Sequence, residues 1–481
     1  MYLTNRIIRA VAMIASLFLF ISIVNAADVQ RYSHEGSTFI KNVRVIDGLG
    51  NRAKQEQDIL ITGGRISAIG KTGSLTRPDG ALEIDGTGLT ALPGLIDAHI
   101  HLQGGWGNGT LPGDEFAIKL DDASLQQTLN AYIYSGVTTL LDIGNDHDWV
   151  LGIRDRIEKE EFLSPRFFVA GAPWSQAPNG WDAAGAEEDR GDVDMASRVV
   201  DNLETIGVQM DIYQADGIEI IKLYSGISAF VAQLVVMEAH ERGIKTVADL
   251  WSLNLDTMWM QSTGLDGWAH TGGFDIAPKA NHKWMAENDR FVIGNAVLGE
   301  QLSGLRVADE AGQRLMASEP LIVDIWGQQA IDIFYESHPQ IRELLYDGAD
   351  SFYQMMGFGN LQRFRENFLV NIRNGHKAGV LIACGSDDLY PGLWPGEAIH
   401  REMELLVMGG ISPVDAIQIC SSNGAKVLRR EQEFGSLQPG LVADLLIVEG
   451  NPAKNISDTR NVRHVFMGGK QVNRESLKLV N

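Results

Sequence analysis

Leu92-Pro93-Gly94-Leu95-Ile96-Asp97-Ala98-His99-Ile100-His101-Leu102 is the stretch on which the reading of the fold turns. Pro93-Gly94 is a turn signal, and the apolar run behind it suits a buried strand. Alternate residues of a strand point the same way, so His99 and His101 face one side at the strand's C-terminal end. Two neutral imidazoles side by side, with Gly104, Gly105, Gly107 and Gly109 following, are half of a divalent-metal site. The plainer reading is two polar side chains where a strand surfaces. The rest of the chain decides between them.

Toward the N-terminus, Arg6 and Arg9 precede an apolar run from Ala10 to Val24, which ends in Val24-Asn25-Ala26. This is the pattern of a secretory signal peptide, residues 1–26, cleaved after Ala26. At 15 residues the run is short for a membrane-spanning helix. Cleavage removes two arginines and no acid from a chain whose net charge is already −22. That balance disfavours nucleic acid and anionic membrane surfaces as partners. The expected place is the periplasm or the medium. Cys384 and Cys420 are the only cysteines, so there is no disulfide framework. Both sit in apolar segments, which predicts two buried free thiols over one bridge.

Residues 27–91 read as small β structure. Phe39–Ile46, Asp58–Thr62 and Arg65–Ile69 are short strand patterns punctuated by glycine. The same texture returns only in 431–481, in Gly440–Val448 and Val462–Phe466 with a Gly468-Gly469 turn. A few strands at each end do not make two stable sheets. The economical inference is one composite β-sandwich domain built from both termini, with residues 92–430 inserted between them.

That middle alternates apolar strands with helical segments. Strands are predicted at Leu95–His101, Thr138–Ile143, Arg166–Ala170, Ile218–Tyr224, Lys245–Leu250, Gly267–His270, Phe291–Asn295 and Val380–Cys384. Helices such as Ser124–Ser135, Ala229–Arg242 and Gly396–Met408 fall between them. The predicted fold is therefore α/β, a (β/α)8 TIM barrel, with 298–370 as a mostly helical insertion. In that fold the chemistry sits at the strands' C-terminal ends. The first strand ends on His99 and His101, the fourth carries Lys222, the sixth ends on His270, and the eighth runs into Gly385-Ser386-Asp387. Singly, a buried ion pair, a core histidine or a helix cap explains each of these. Together they point to one metal site.

On these residues the chain resembles the amidohydrolase superfamily, and within it the imidazolonepropionase-like and Xaa-Pro dipeptidase-like members. The resemblance runs from about Phe39 to Val472. It includes Pro93–His101, Gly136-Val137-Thr138-Thr139, Ile221-Lys222, Ala239–Gly243, Ala269-His270, Gly385-Ser386-Asp387 and Gly435–Asp444. It implies a hydrolase with one or two divalent metals per chain, usually zinc. His99, His101, Lys222 and Asp387 match the ligands of the more buried metal, with Lys222 carboxylated so that it bridges as an anion. His270 matches a ligand of the second metal, and Asp387 matches the general base.

The chain departs from the family pattern at the fifth strand, which should end in histidine but reads Lys245-Thr246-Val247-Ala248-Asp249-Leu250. Zinc accepts a carboxylate oxygen, so Asp249 is the candidate ligand in its place. Loop aromatics Trp106, Trp174, Trp181, Tyr224, Trp251, Tyr390 and Trp394 either wall a pocket for an apolar or cyclic group or pack as ordinary loop residues. The loop Asp182–Asp194 is acidic and disfavours a multiply anionic substrate. The predicted activity is hydrolysis of a C–N bond in a peptide-like or cyclic amide, by a chain that stands alone or as a homo-oligomer. The alternatives are an esterase or lactonase using the same site, and a non-catalytic periplasmic binding protein on a degenerate scaffold.

Overall fold

The structure, a computed structural model, describes residues 30–102, 121–175, 198–200, 202–224, 227–249, 260–303, 318–328, 331–332, 361–388 and 392–479. The predicted signal peptide, the loop Asp182–Asp194, Trp106, Trp181, Trp251, Tyr390 and most of the predicted insertion lie outside the described residues.

Six strands lead in: β1 (Tyr32–His34), β2 (Thr38–Val45), β3 (Lys54–Thr62), β4 (Arg65–Lys71), β5 (Leu82–Asp85) and β6 (Leu89–Pro93). Ten follow in the middle of the chain: β7 (Leu95–Ile100), β8 (Val137–Asp142), β9 (Arg166–Val169), β10 (Trp174–Ser175), β11 (Arg198–Val199), β12 (Ile220–Leu223), β13 (Lys245–Ala248), β14 (Gly267–Trp268), β15 (Phe291–Ile293) and β16 (Leu381–Ala383). Three close the chain: β17 (Leu445–Glu449), β18 (Val462–Met467) and β19 (Lys470–Val472).

The two ends of the chain share one nine-stranded sheet, in which β17 lies antiparallel to β6 with Leu446 opposite Leu92. Alternation in these strands turns Ile40, Val43, Ile59, Ile61, Ala91, Leu445, Ile447 and Phe466 into one buried cluster. Gly468 and Gly469, both at positive φ, close the β18–β19 hairpin; that geometry suits residues without a Cβ.

Every pairing among the middle strands is parallel. They form a three-stranded sheet, β7-β8-β9, and a seven-stranded sheet, β11-β10-β12-β13-β14-β15-β16. The ladders do not close into a ring among the described residues. The eight predicted strands all appear within a residue or two of their ends. The two-residue β10 and β11 are additional, too short to leave a hydrophobic period. One buried cluster takes Ile96, Ala98, Leu141, Ile143, Ala170, Ile220, Val247, Ala269, Phe291, Ile293 and Ala383, drawn from β7, β8, β9, β12, β13, β14, β15 and β16 or the residue just past them. Burying each large side chain of this set contributes about 1.5–3 kcal/mol. The Ala98 N–H also donates to the Cys384 carbonyl at 3.0 Å, tying β7 to the end of β16.

Helices Asp122–Tyr134, Ala229–Glu241 and Glu397–Met408 stand where the sequence placed them. Asp121 and Ser228 cap the first two by accepting from Ser124 N and Val231 N. No described helix is long and apolar enough to cross a membrane. The cysteines correct the expectation of free thiols: Cys384 and Cys420 form a disulfide, Cα–Cα 4.7 Å. Both are fully buried, as predicted. What the sequence did not reveal is the bond from Cys384 N to the Ile419 carbonyl, which lays the two segments side by side at a bridgeable spacing.

Candidate metal centre

His99 and His101 stand at the end of β7, both buried, with their Nε2 atoms 3.3 Å apart. Each ring is anchored from behind. His99 Nδ1 donates to the Ala269 carbonyl and His101 Nδ1 to the Gly144 carbonyl, both at 2.5 Å. A carbonyl only accepts, so Nδ1 carries the proton and the Nε2 lone pair faces inward on both rings. Burial, reinforced by the nearby Lys222 charge, holds the His99 imidazole well below its ordinary pKa and brings His101 to about 3. Both are neutral, the form that binds a metal.

The third donor comes from the turn after β16. Asp387 Oδ1 lies 3.6 Å from His99 Nε2 and 3.5 Å from His101 Nε2. Asp387 is held at φ +50° and its N–H donates to the His99 carbonyl at 2.8 Å. Gly385 leaves the necessary room, since a Cβ there would sit 2.5 Å from His99 Cβ. Burial pushes the Asp387 carboxyl up to about 6, against the pull of Lys222. Three electron-rich atoms in a triangle with edges of 3.3, 3.5 and 3.6 Å repel one another unless a cation sits among them. Ligands at about 2.0–2.1 Å from a tetrahedral ion are roughly 3.3–3.4 Å apart. The donor set therefore fits a metal in both chemistry and size, and these three side chains are one metal-sized group among the described residues.

The other predicted residues come to the same end of the strands. Lys222, on β12, is 2% exposed. Asp249 follows β13, its N–H donating to the Leu223 carbonyl at 2.9 Å, which sets it beside Lys222. Its two oxygens face other side chains: Oδ1 is 2.7 Å from His270 Nε2 and Oδ2 is 3.9 Å from Lys222 Nζ. Burial raises the Asp249 carboxyl, but the His270 and Lys222 charges outweigh it and bring it to about 2. The His270 ring stacks on His99 with centroids 5.9 Å apart. All six side chains thus converge, sorted into a donor triangle and a Lys222–Asp249–His270 chain beside it.

Sequence reasoning missed the carboxylates that hold this frame. Asp97 accepts from Ser386 N at 2.9 Å and Ser386 Oγ at 2.5 Å, so it pins the turn that carries Asp387. Asp142, the last residue of β8, accepts from Leu102 N, Gly144 N and Asn145 Nδ2 and so sets the Gly144 carbonyl behind His101. Burial raises these two acids to about 7 and about 6. Their one sequence signal is an acid inside, or ending, an apolar strand. Of the aromatics, Trp174 is buried against Tyr213, and Trp394 against Trp326, so both pack in the core. Tyr224 lies at the site, 5.0 Å beneath Lys222 Nζ. A pocket of about 340 Å³ lined by Phe167, Glu219, Ile220, Lys245 and Arg430 opens at the opposite, N-terminal ends of the strands and holds none of these residues.

Comparison with known proteins agrees with the geometry. The Amidohydrolase family profile matches residues 90–213 and 360–472. An adenine deaminase of Mesorhizobium japonicum is 24% identical over 437 residues, which is 90% of this chain and 57% of that protein. The chain thus spans little more than half the length of that relative. An imidazolonepropionase of Herpetosiphon aurantiacus is 22% identical over 429 residues, 85% of this chain and 86% of that one. A crystal structure of a Xaa-Pro dipeptidase with bound methionine in its active site superposes with a TM-score of 0.68 at 22% identity, covering 91% of this chain and 99% of that one. The last likeness is one of fold, an α/β fold containing a TIM barrel. The donor triangle, the matched segments and the shared fold agree: the chain is a member of the amidohydrolase superfamily.

Proposed function

We propose that this chain is an exported hydrolase that cleaves the C–N bond of an amide or cyclic amide, with a single divalent cation held by His99, His101 and Asp387. The observation that carries the reading is the triangle of two Nε2 lone pairs and one carboxylate oxygen, 3.3–3.6 Å on a side. Zinc takes this donor set and keeps a position open for water or substrate. A bound cation supplies Lewis acidity, lowering the pKa of water and polarising a carbonyl. Asp387 takes the proton of the attacking water and returns it to the leaving nitrogen. Asp97, through Ser386, fixes the turn from which it acts. Asp249 is occupied by Lys222 and His270, so Lys222 stays uncarboxylated in this reading and no second cation is called for.

The bond from Ala98 to Cys384 and the apolar cluster shared by eight strands support reading the two parallel sheets as arcs of one (β/α)8 barrel, with the nine-stranded terminal sheet as a separate composite domain. The leader and the Cys384–Cys420 bridge support export, since disulfides persist in oxidising compartments. The net charge of −22 supports a small neutral or cationic substrate over nucleic acid.

Metal analysis and a panel of dipeptides, N-acyl amino acids, lactams and matching esters test the proposal. About one metal per chain and amine release from amide members are expected. A protein that binds no metal, or one inert to the whole panel, overturns it.

A further inference from the structure

Asn295 follows β15 at the same end of the strands as the donor triangle. It is fully buried, and neither its Nδ2 nor its Oδ1 has a partner among the described residues. Gly385 lies between it and a metal-centre residue: a Cβ at Gly385 would lie 2.5 Å from His99 Cβ, 2.7 Å from Ile293 Cγ2 and 3.0 Å from Asn295 Nδ2.

The usual task of an asparagine here is absent. Asn295 precedes the helix Ala296–Leu302, where an N-cap side chain ordinarily accepts from the first turn. It stands instead at φ +50°, ψ +45° and makes no cap bond. Glu402, reaching in from the helix Glu397–Met408, accepts from Val297 N at 2.7 Å in its place. Asn145, another amide near these strand ends, is by contrast committed to Asp142 and to Asp146 N. A buried amide with donor and acceptor both unmet is destabilising by roughly 1–3 kcal/mol per group, so its retention in a native fold calls for a reason, a functional role among them.

We propose that Asn295 is a specificity-determining residue, whose carboxamide meets a neutral donor–acceptor group, an amide edge, next to the bond that is cleaved. The inference rests on the proposed hydrolysis at His99, His101 and Asp387 and names what the substrate must carry beside its scissile bond. Asn295 supplies one acceptor and two donor hydrogens, which match the carbonyl and N–H of a second amide. An ester at that place offers no N–H to Oδ1, and a carboxylate adds charge beside Asp387 and Glu402.

Two variants test this without disturbing the backbone. Asn295→Gly tolerates the positive φ and deletes the amide, and Asn295→Asp keeps the shape while removing the donor. Wild type and variants are assayed on N-acyl dipeptides and on partners in which the flanking amide is replaced by an ester. Wild type is expected to favour the amide member about 5-fold, as the one neutral hydrogen bond that the ester lacks allows. Asn295→Gly is expected to bring that ratio close to one through KM, with metal content unchanged and Tm equal or higher. If Asn295→Gly lowers Tm by several degrees and slows both members equally, Asn295 is a structural group satisfied by internal water and the proposal falls. If wild type hydrolyses no member, the proposed activity fails by itself, and the Tm comparison still decides whether the amide is held free for a ligand.

Discussion

The N–H of Asp387 donates to the carbonyl of His99 at 2.8 Å. A metal ligand and the residue assigned as proton carrier, far apart in sequence, are thereby joined through their backbones. Asp97 doubles the link by accepting twice from Ser386. The triangle is thus set by main-chain geometry on both sides, and a side-chain substitution at residue 387 should leave that frame standing.

Asp387→Asn follows directly. The amide keeps the shape but loses the negative charge and the capacity to take a proton. Turnover of any panel substrate should fall by about 10²–10⁴-fold, with Tm within a few degrees of wild type. Unchanged turnover would remove Asp387 from the mechanism.

The chain Lys222–Asp249–His270 makes a prediction about stability and metal count. Lys222 and Asp249 side chains are 2% and 9% exposed. Asp249→Asn leaves the ammonium uncompensated, a change that costs about 3–5 kcal/mol for a buried pair. Replacing both partners, Lys222→Met with Asp249→Leu, should restore most of the loss, as read by urea unfolding. Metal content should stay near one per chain in wild type, and labelled bicarbonate should add no carbamate signal at Lys222. A second equivalent of metal together with that signal would assign Lys222 and Asp249 as ligands.

The disulfide predicts a redox-dependent stability. Its cysteines are 36 residues apart, and closing a loop of that size stabilises by about 4 kcal/mol in the chain-entropy picture. Cys384→Ala with Cys420→Ala, or reduction under mild denaturant, should lower the unfolding midpoint accordingly. The bridge lies one residue beyond β16, so loosening there should also weaken metal retention.

How much of this was legible in sequence depends on the range of the interaction. His99 and His101 declare themselves through strand alternation, and Lys222 through its incongruity in an apolar strand. Asp387 shows itself through the Gly385-Ser386 turn that clears His99. The strands read well because each is an apolar run between glycines or polar loops. The pairing of Asp249 with Lys222 and His270 was not legible, since it depends on neighbouring strands meeting in register, as Leu223 does with Ala248. Nor was the Cys384–Cys420 bridge, which depends on the bond from Cys384 to Ile419. Asn295 was invisible for a third reason: its left-handed backbone and the Glu402 side chain that replaces it as a cap are tertiary facts with no local pattern.

Acid stability gives the last prediction, from the ion cluster that anchors Glu397–Met408 to the C-terminal segment. Arg460 contacts Glu404 at 2.8 Å, Glu397 at 2.8 Å and Glu319 at 3.3 Å. Burial would raise the Glu404 carboxyl, but the Arg460 guanidinium outweighs it and brings it from 4.5 to about 2. A carboxyl depressed by folding stabilises fully above its unfolded pKa, and that stability is lost as pH falls through the folded value. Glu404 should therefore contribute its full share above about pH 4.5 and nothing by about pH 2. Glu402 runs the other way: burial raises it to about 7, so its protonation relieves strain on the fold as pH falls from neutrality. Wild type should thus be most stable in mild acid and weaken steeply below it. Glu404→Gln should lose about 3 kcal/mol at neutral pH, with the difference from wild type shrinking across pH 4.5 to 2. A difference independent of pH in chemical denaturation would mean that Glu404 acts through packing and not through its charge.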